Sequence, residues 1–395
     1  MQLGLEYNKP MKVALIPSQK DEKWIYWTII GLSVFSIIMV ASASVGITPK
    51  QEDAVLYNML RQLVYSALGY GLFLFFYNWF NLKRLRNLLP FLALLITLLL
   101  FATLLFPEIN GAKAWIQLFG FSLQPSEFVK PFVIVFMAVY FPRFAARQDG
   151  GWEIIRWPAL IFALWLGVII ILQTDIGTAL VLILLTGVCI LVVPGNAFRI
   201  YRALTKLFFL LFFSTLIFVL TPLGLKFVNI LPLPEYQKLR FTAVLDPFSD
   251  IYDATFQIYN SLLAFAKGNI FGVGFGSSVQ KFGYLPEART DFIFPIIIEE
   301  LGLIGFLIVF AGYGVMIYRL FSYSFRLIEP GEKIVLIGTI AYLFIHFALN
   351  IGGVSALIPM TGIPLLLISS GGSSTLSIMI MLGISLNIIN KQLRR

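Results

Sequence analysis

GYLPEARTDFIFPIIIEELGLIG (283–305) is the stretch on which the reading of the chain turns. Pro286, Glu287, Ala288, Arg289, Thr290 and Asp291 form a polar hexamer that opens directly onto an apolar run, and that run carries two adjacent carboxylates, Glu299 and Glu300. Taken as a helix, it sets ionisable groups at and beyond a membrane boundary. A charge at such depth is costly unless it faces protein or water, which makes it a functional-site candidate by default.

The composition agrees with a lipid solvent. Of 395 residues, 59% are hydrophobic and 12% charged, where a soluble domain carries about a quarter charged. The formal charge of +9 resides in short basic clusters between apolar runs, the pattern of the positive-inside rule and not of a nucleic-acid-binding face. Cys189 is alone and lies in an apolar span, so neither an intramolecular disulfide nor a thiolate metal cluster is available. The first apolar run follows a lysine-bearing tail and lacks a small-residue cleavage site before a soluble domain, so it is expected to be a span and not a removed signal.

Working outward, apolar runs predict spans at 24–47, 57–80, 88–106, 129–141, 157–172, 177–193, 208–231, 292–318, 334–351 and 376–389. Basic connections such as NLKRLRN (81–87) and PGNAFRIYRALTK (194–206) alternate with the acidic TPKQEDAV (48–55) and the tight turn Gln173, Thr174, Asp175, Ile176. That alternation places both termini in the cytoplasm. The fourth span is expected to start at Ser126 as a helix cap with Glu127 in its first turn. Thr221 and Pro222 invite a kink in the seventh. Between spans seven and eight, FQIYNSLLAFA (256–266) is helical by period and too short to cross, and GNIFGVGFGSS (268–278) follows it. The expected fold is an all-α polytopic membrane protein. Ten transmembrane helices form one domain, 24–390, between cytoplasmic tails 1–23 and 391–395, and a large external loop, 232–291, contains a re-entrant or interfacial helix.

Several side chains have two readings from the residues alone. Asp291 is either a free carboxylate at the outer end of a span or an N-terminal helix cap. Glu127 and Lys130, at i, i+3, can pair on one face, and Asp175 is either a turn residue or part of a site. Glu299 and Glu300 point about 100° apart, so at most one shares a face with Asp291, and one is expected to pair with an intramembrane cation such as Arg61. GVGFGSS lacks the GKS or GKT of a nucleotide loop, which leaves Gly272, Gly274 and Gly276 for close backbone packing. His346, the only histidine, is expected to bond a neighbouring helix instead of relaying protons.

Four blocks carry a resemblance: GAKAWIQLFGFSLQPSEFVK (111–130), QTDIGTAL (173–180), GVGFGSSVQKFGYLPEARTDFIF with EELG (272–302), and PMTGIPLLLISSGGSS (359–374). In this order they resemble the shape, elongation, division and sporulation (SEDS) family of FtsW, RodA and SpoVE, and the ASAS run at 41–44 leans toward the FtsW branch. The resemblance implies a bacterial inner-membrane glycosyltransferase that polymerises lipid II into glycan strands during cell division or elongation. Its implied partners are a class B penicillin-binding protein and other division or elongation membrane proteins.

Such a reaction needs a carboxylate base for a sugar hydroxyl and cations for a departing lipid diphosphate. The family match assigns the base to Asp291. Lys130, Arg289, Arg240, Trp115, Glu127, Gln124 and Ser126 are carried over as substrate-binding residues. Asp175, Glu287 and Glu300 take secondary roles, with Asp175 holding a loop or a metal. The cofactor is unknown, with a divalent cation such as Mg or Mn left open and no metal-ligand cluster visible. Two positions depart from the family: RTDF (289–292) replaces HTDF, and SSGGSS (369–374) replaces SYGGSS. Arg289 beside Asp291 would stabilise the ionised carboxylate and so weaken it as a base. A lipid II flippase and a non-catalytic scaffold are the rival readings, and the concentration of polar segments on the external side favours the enzyme.

Overall fold

The computed structural model describes residues 20–47, 53–109, 111–118, 121–147, 151–230, 235–252 and 255–394. Residues 1–19 of the expected tail (1–23) and 48–52 of the expected connection (48–55) lie outside those residues. Helices α1 (Lys20–Ser44), α2 (Ala54–Trp79), the single turn α3 (Leu82–Leu85), α4 (Leu89–Ala102), α5 (Ser126–Tyr140), α6 (Trp152–Gly167) and α7 (Ile176–Val192) make up the first half. The second half holds α8 (Arg199–Val219), α9 (Pro222–Ile230), α10 (Glu235–Leu245), α11 (Phe256–Gly268), α12 (Ile293–Ser324), α13 (Pro330–Val354) and α14 (Gly372–Leu393). The expected spans fall largely on helix, the seventh on two helices, α8 and α9. Among the described residues seven helices are long and apolar enough to cross a membrane by length and composition, whereas Leu89–Leu105, Ile176–Val192 and Ser126–Tyr140 are shorter.

Two layers follow from the burial pattern. α5, α13, α14 and the first turns of α12 bury residues around most of their circumference, while α8 fully buries only Val219 and rests on the core through partly buried Tyr201, Phe209 and Phe212. Contact between α2 and α14 rests on glycine, the device of membrane helices that must approach closely. A Cβ on Gly383 would lie 2.5 Å from the Phe73 carbonyl oxygen, and one on Gly372 would lie 2.3 Å from the Tyr65 ring.

Three local features correct or complete the expected outline. The chain is not all-α: β1 (Ile116–Leu118) and β2 (Phe121–Leu123) form an antiparallel hairpin, with Ile116 opposite Leu123. Pro125, and not Ser126, is the N-cap of α5; Ser126 is the first helical residue and its buried Oγ makes no hydrogen bond. The anticipated kink at Thr221 and Pro222 is a full break, where the Thr221 hydroxyl accepts from Gly224 N at 3.1 Å and starts α9.

α12 is also broken. Gly302 adopts φ 61°, ψ −145°, a region essentially restricted to glycine. The interruption frees the Glu299 and Glu300 carbonyls, which accept from Val273 N (2.8 Å) and Gly274 N (3.1 Å). Gly272 permits this approach, since a Cβ there would lie 2.1 Å from the Glu300 carbonyl oxygen. The glycine-rich segment thus serves backbone packing, as its sequence suggested.

Candidate active site

Asp291 sits just before the first turn of α12, whose N-cap is Phe292, and no side chain caps that helix. Among the described residues its carboxylate takes part in no hydrogen bond or ion pair, so the capping role open from sequence is not the one it plays. The backbone around it is held firmly. Asn350 Nδ2 on α13 donates to the Asp291 carbonyl at 2.9 Å and to the Ile363 carbonyl at 2.8 Å. Ser369 Oγ donates to the Thr290 carbonyl at 2.7 Å, and Ser370 N donates to the Arg289 carbonyl at 2.8 Å. The non-helical stretch between α13 and α14, rich in Gly, Pro and Ser, is therefore the wall against which the 287–292 turn is fixed. Irregular backbone inside a membrane protein survives where protein satisfies it, and here these bonds do so.

Burial raises the Asp291 carboxyl to about 7; Glu287 pushes in the same direction, Arg240 opposes, and Asp175 adds a further upward push. The cation acting on Asp291 is thus Arg240 of α10, which also donates through Nη1 to the Met360 carbonyl at 3.1 Å. Arg289 turns away: its Nη1 donates to Asn58 Oδ1 of α2 at 2.6 Å. Burial lowers its pKa, Glu287 raises it and Arg61 lowers it. The expected direct effect of Arg289 on Asp291 is replaced by that of Arg240. Glu287 accepts from the Thr290 hydroxyl at 2.8 Å, which ties it into the same turn.

Gln124 connects the hairpin to this region. Its backbone N donates to Ser373 Oγ (2.8 Å) and its Nε2 donates to Asp175 Oδ2 (2.8 Å). Asp175 caps α7 by accepting from Thr178 N at 3.0 Å, so it holds a loop. Trp115, just before β1, is half-buried.

Beneath lies a closed polar network. Lys130, 0% exposed, pairs with Glu127 Oε1 at 2.6 Å and lies 3.1 Å from His346 Nε2. His346 Nδ1 lies 3.1 Å from the Pro364 carbonyl, which can only accept, so the proton is on Nδ1 and Nε2 accepts from the Lys130 ammonium. Tyr342 donates to Glu127 Oε2 at 3.3 Å. Lys130 and Glu127 are therefore paired, as the spacing suggested, and both are buried. His346 bonds a neighbouring helix, again as expected.

Glu300 pairs with a buried cation, as expected, but not with the one named. Its partner is not Arg61, which donates to Ser122 Oγ at 3.0 Å. Instead Glu300 pairs with Lys281 at 2.9 Å and accepts from Ser42 of α1 at 2.7 Å, both fully buried. Glu299 accepts from Ser278 Oγ, from Val279 N (3.2 Å) and from Gln280 N (3.2 Å). Neither glutamate faces Asp291; together they clasp the 278–281 loop. A pairing 19 residues away has no local signature, although a lysine in an otherwise apolar, glycine-rich loop was a usable hint. Asn350 was missed altogether. Among the described residues no three of His, Cys, Asp or Glu gather as a metal-ligand set.

The structure defines a class: a multi-pass helical membrane protein with one unpaired carboxylate fixed where a broken helix meets a glycine- and proline-rich wall. The FtsW/RodA/SpoVE model, described as cell cycle protein, matches residues 23–394, and the chain belongs to that family. It is 30% identical over 360 residues to the probable peptidoglycan glycosyltransferase FtsW of Marinomonas mediterranea, covering 90% of this chain and 84% of that one. Against stage V sporulation protein E of Bacillus subtilis the identity is 32% over 369 residues, 90% and 93% of the two chains. Among solved structures it is similar to a chain from a peptidoglycan synthase complex that coordinates polymerization and crosslinking, with 26% identity, TM-score 0.67 and coverage of 93% and 98%. RodA of Thermus thermophilus shares the fold, at 24% identity, TM-score 0.55 and coverage of 92% and 96%.

Proposed function

We propose that the chain is a peptidoglycan glycosyltransferase that polymerises lipid II into glycan strands, with Asp291 as general base. The observation that carries this is a carboxylate free of hydrogen bonds, braced through its backbone on both sides and raised to about 7, where a base is both ionised and basic enough to act. Asp291 takes the proton from a hydroxyl of the acceptor sugar. The hydroxyl oxygen bonds to the anomeric carbon of the donor, and the bond from that carbon to the lipid diphosphate breaks, its electron pair leaving with the diphosphate. Arg240, the cation acting on Asp291, and Arg289, two residues before it in sequence, receive the diphosphate charge. Lys130 joins them only if its pair with Glu127 opens, because the side chain is wholly buried in that pair. Gln124, Ser126 and Trp115 shape the approach; Asp175, Glu287 and Glu300 support the walls.

In this reading ten helices span the bacterial inner membrane with both termini in the cytoplasm, and 232–291 forms an external loop in which α11 is re-entrant or interfacial. A class B penicillin-binding protein crosslinks the strands, in line with the synthase complex among the structural neighbours. The test is labelled lipid II given to the purified protein with that partner, with moenomycin present to silence classical polymerases. Strands made by wild type and lost in Asp291→Asn support the assignment, and equal polymerisation by both removes Asp291 from the chemistry. Lipid II movement across liposomes that survives the substitution would point to a flippase.

A further inference from the structure

Asp291 shares a cavity of about 10 Å³ with Asn350, Thr361, Gly362 and Ile363, room for a single water-sized group. Two of the residues lining it carry oxygens without partners. Asn350 is 3% exposed, and both protons of its amide nitrogen are committed to the Asp291 and Ile363 carbonyls. Its Oδ1 is therefore oriented as a pure acceptor, and it is buried with no hydrogen bond. The Thr361 Oγ1 is likewise buried and unbonded. A buried polar atom without a partner keeps an uncompensated desolvation cost, and two such atoms beside the unbonded Asp291 carboxylate mark a place prepared for a ligand group. Gly362, at φ +69°, keeps the wall thin: a Cβ there would stand 3.5 Å from Asp291 Oδ2.

The chemistry of the vacant atoms selects the group. An amide oxygen accepts, while a threonine hydroxyl both donates and accepts. One sugar hydroxyl, donating to Asn350 and accepting from Thr361, satisfies both at once, and the cavity has space for one. We propose that Asn350 Oδ1 and Thr361 Oγ1 bind the acceptor-sugar hydroxyl that flanks the attacking one, holding the neighbouring attacking hydroxyl against Asp291. Both are positioning residues that fix which hydroxyl reacts. The assignment rests on the glycosyl-transfer reading above and adds a specificity subsite to it.

The test uses natural lipid II and an analogue whose acceptor sugar carries hydrogen in place of the flanking hydroxyl, each given to wild type, Thr361→Val and Asn350→Ala. Wild type should polymerise the analogue on the order of 10- to 100-fold more slowly than natural lipid II. Thr361→Val, which keeps the shape and removes only the hydroxyl, should lose activity on natural lipid II and lose at most about threefold more on the analogue, because the two deletions remove one shared interaction. Asn350→Ala should couple in the same way; should it fail to fold, wild type on the analogue and Thr361→Val still decide. Equal rates of wild type on both substrates, or fully multiplying losses, overturn the proposal. So does recovery of Thr361→Val by raised Mg or Mn concentration, which would make the oxygens a cation site. Failure of wild type to build strands from natural lipid II would sink the glycosyl-transfer reading itself, and this subsite with it.

Discussion

If Asp291 works as a base with its carboxyl at about 7, the rate of polymerisation must follow its ionisation. The ionised fraction is then about 10% at pH 6, half at pH 7 and about 90% at pH 8, a rise of roughly tenfold across two pH units. The groups that set this midpoint suggest two variants of opposite sign. Glu287→Gln removes a carboxylate that disfavours ionisation, so the ascending limb should move to lower pH. Arg240→Gln removes the opposing cation and should move it to higher pH. Asp291→Asn should lower the rate by about 10²–10⁴ and abolish the limb. The assay is initial-rate polymerisation of labelled lipid II in nanodiscs from pH 5.5 to 8.5 at constant ionic strength, with saturating substrate so that binding is not titrated. A wild-type profile that is flat over this range, or one that neither charge variant displaces, refutes the reasoning.

The same shift has a thermodynamic face. A carboxyl raised from its usual 3.8 to about 7 stabilises the fold fully below the lower value and loses that contribution as pH rises through the upper one. Asp291→Asn should therefore melt higher than wild type at pH 8 and not at pH 4, by less than about 4 kcal/mol because the side chain is only partly buried; equal melting at both values would contradict it. Lys281→Met or Glu300→Gln leaves a buried charge unpaired and should reduce stability by about 3–5 kcal/mol, whereas the double variant should lose less, as read by chemical unfolding in detergent. Gly302→Ala places a Cβ 2.4 Å from the Ile270 carbonyl in a glycine-only conformation and should cost at least about 3 kcal/mol or prevent folding. Gly276→Ala, with positive φ but open space, should cost about 1–2 kcal/mol in the same assay. Thr221→Ala removes the cap of α9 and should cost about 1 kcal/mol.

Helix positions were legible because an apolar run of given length has few alternatives in lipid, and the expected spans lie largely on helix, with the seventh split between α8 and α9. Asp291 was legible as a charge at a boundary; that it escapes capping was not, since cap and free carboxylate share one sequence signature. The partners of Glu299 and Glu300 were hidden for a different reason. A helical residue can be assigned a face, but the loop that reaches that face is chosen by tertiary packing, and the carbonyls released by Gly302 leave no mark in sequence. The hairpin had a faint signal in IQLFGFSL (116–123), where apolar and polar residues alternate on either side of Gly120. Asn350 and Thr361 had none, because a lone amide or hydroxyl in an apolar run most often satisfies a neighbouring backbone.

The clasp of Ser42, Lys281 and Glu300 joins the first helix to the twelfth across 258 residues, and Ser36 reaches still further, donating to the Ile368 carbonyl 332 residues on. During synthesis α1 is inserted long before either partner exists. Its serines must wait unpaired while most of the chain is threaded into the bilayer, and the wall that braces Asp291 is among the last parts to be made. A ribosome that stalls before α13 would leave a protein with its carboxylate present and its pocket unformed, so completeness of translation is itself a condition for reactivity.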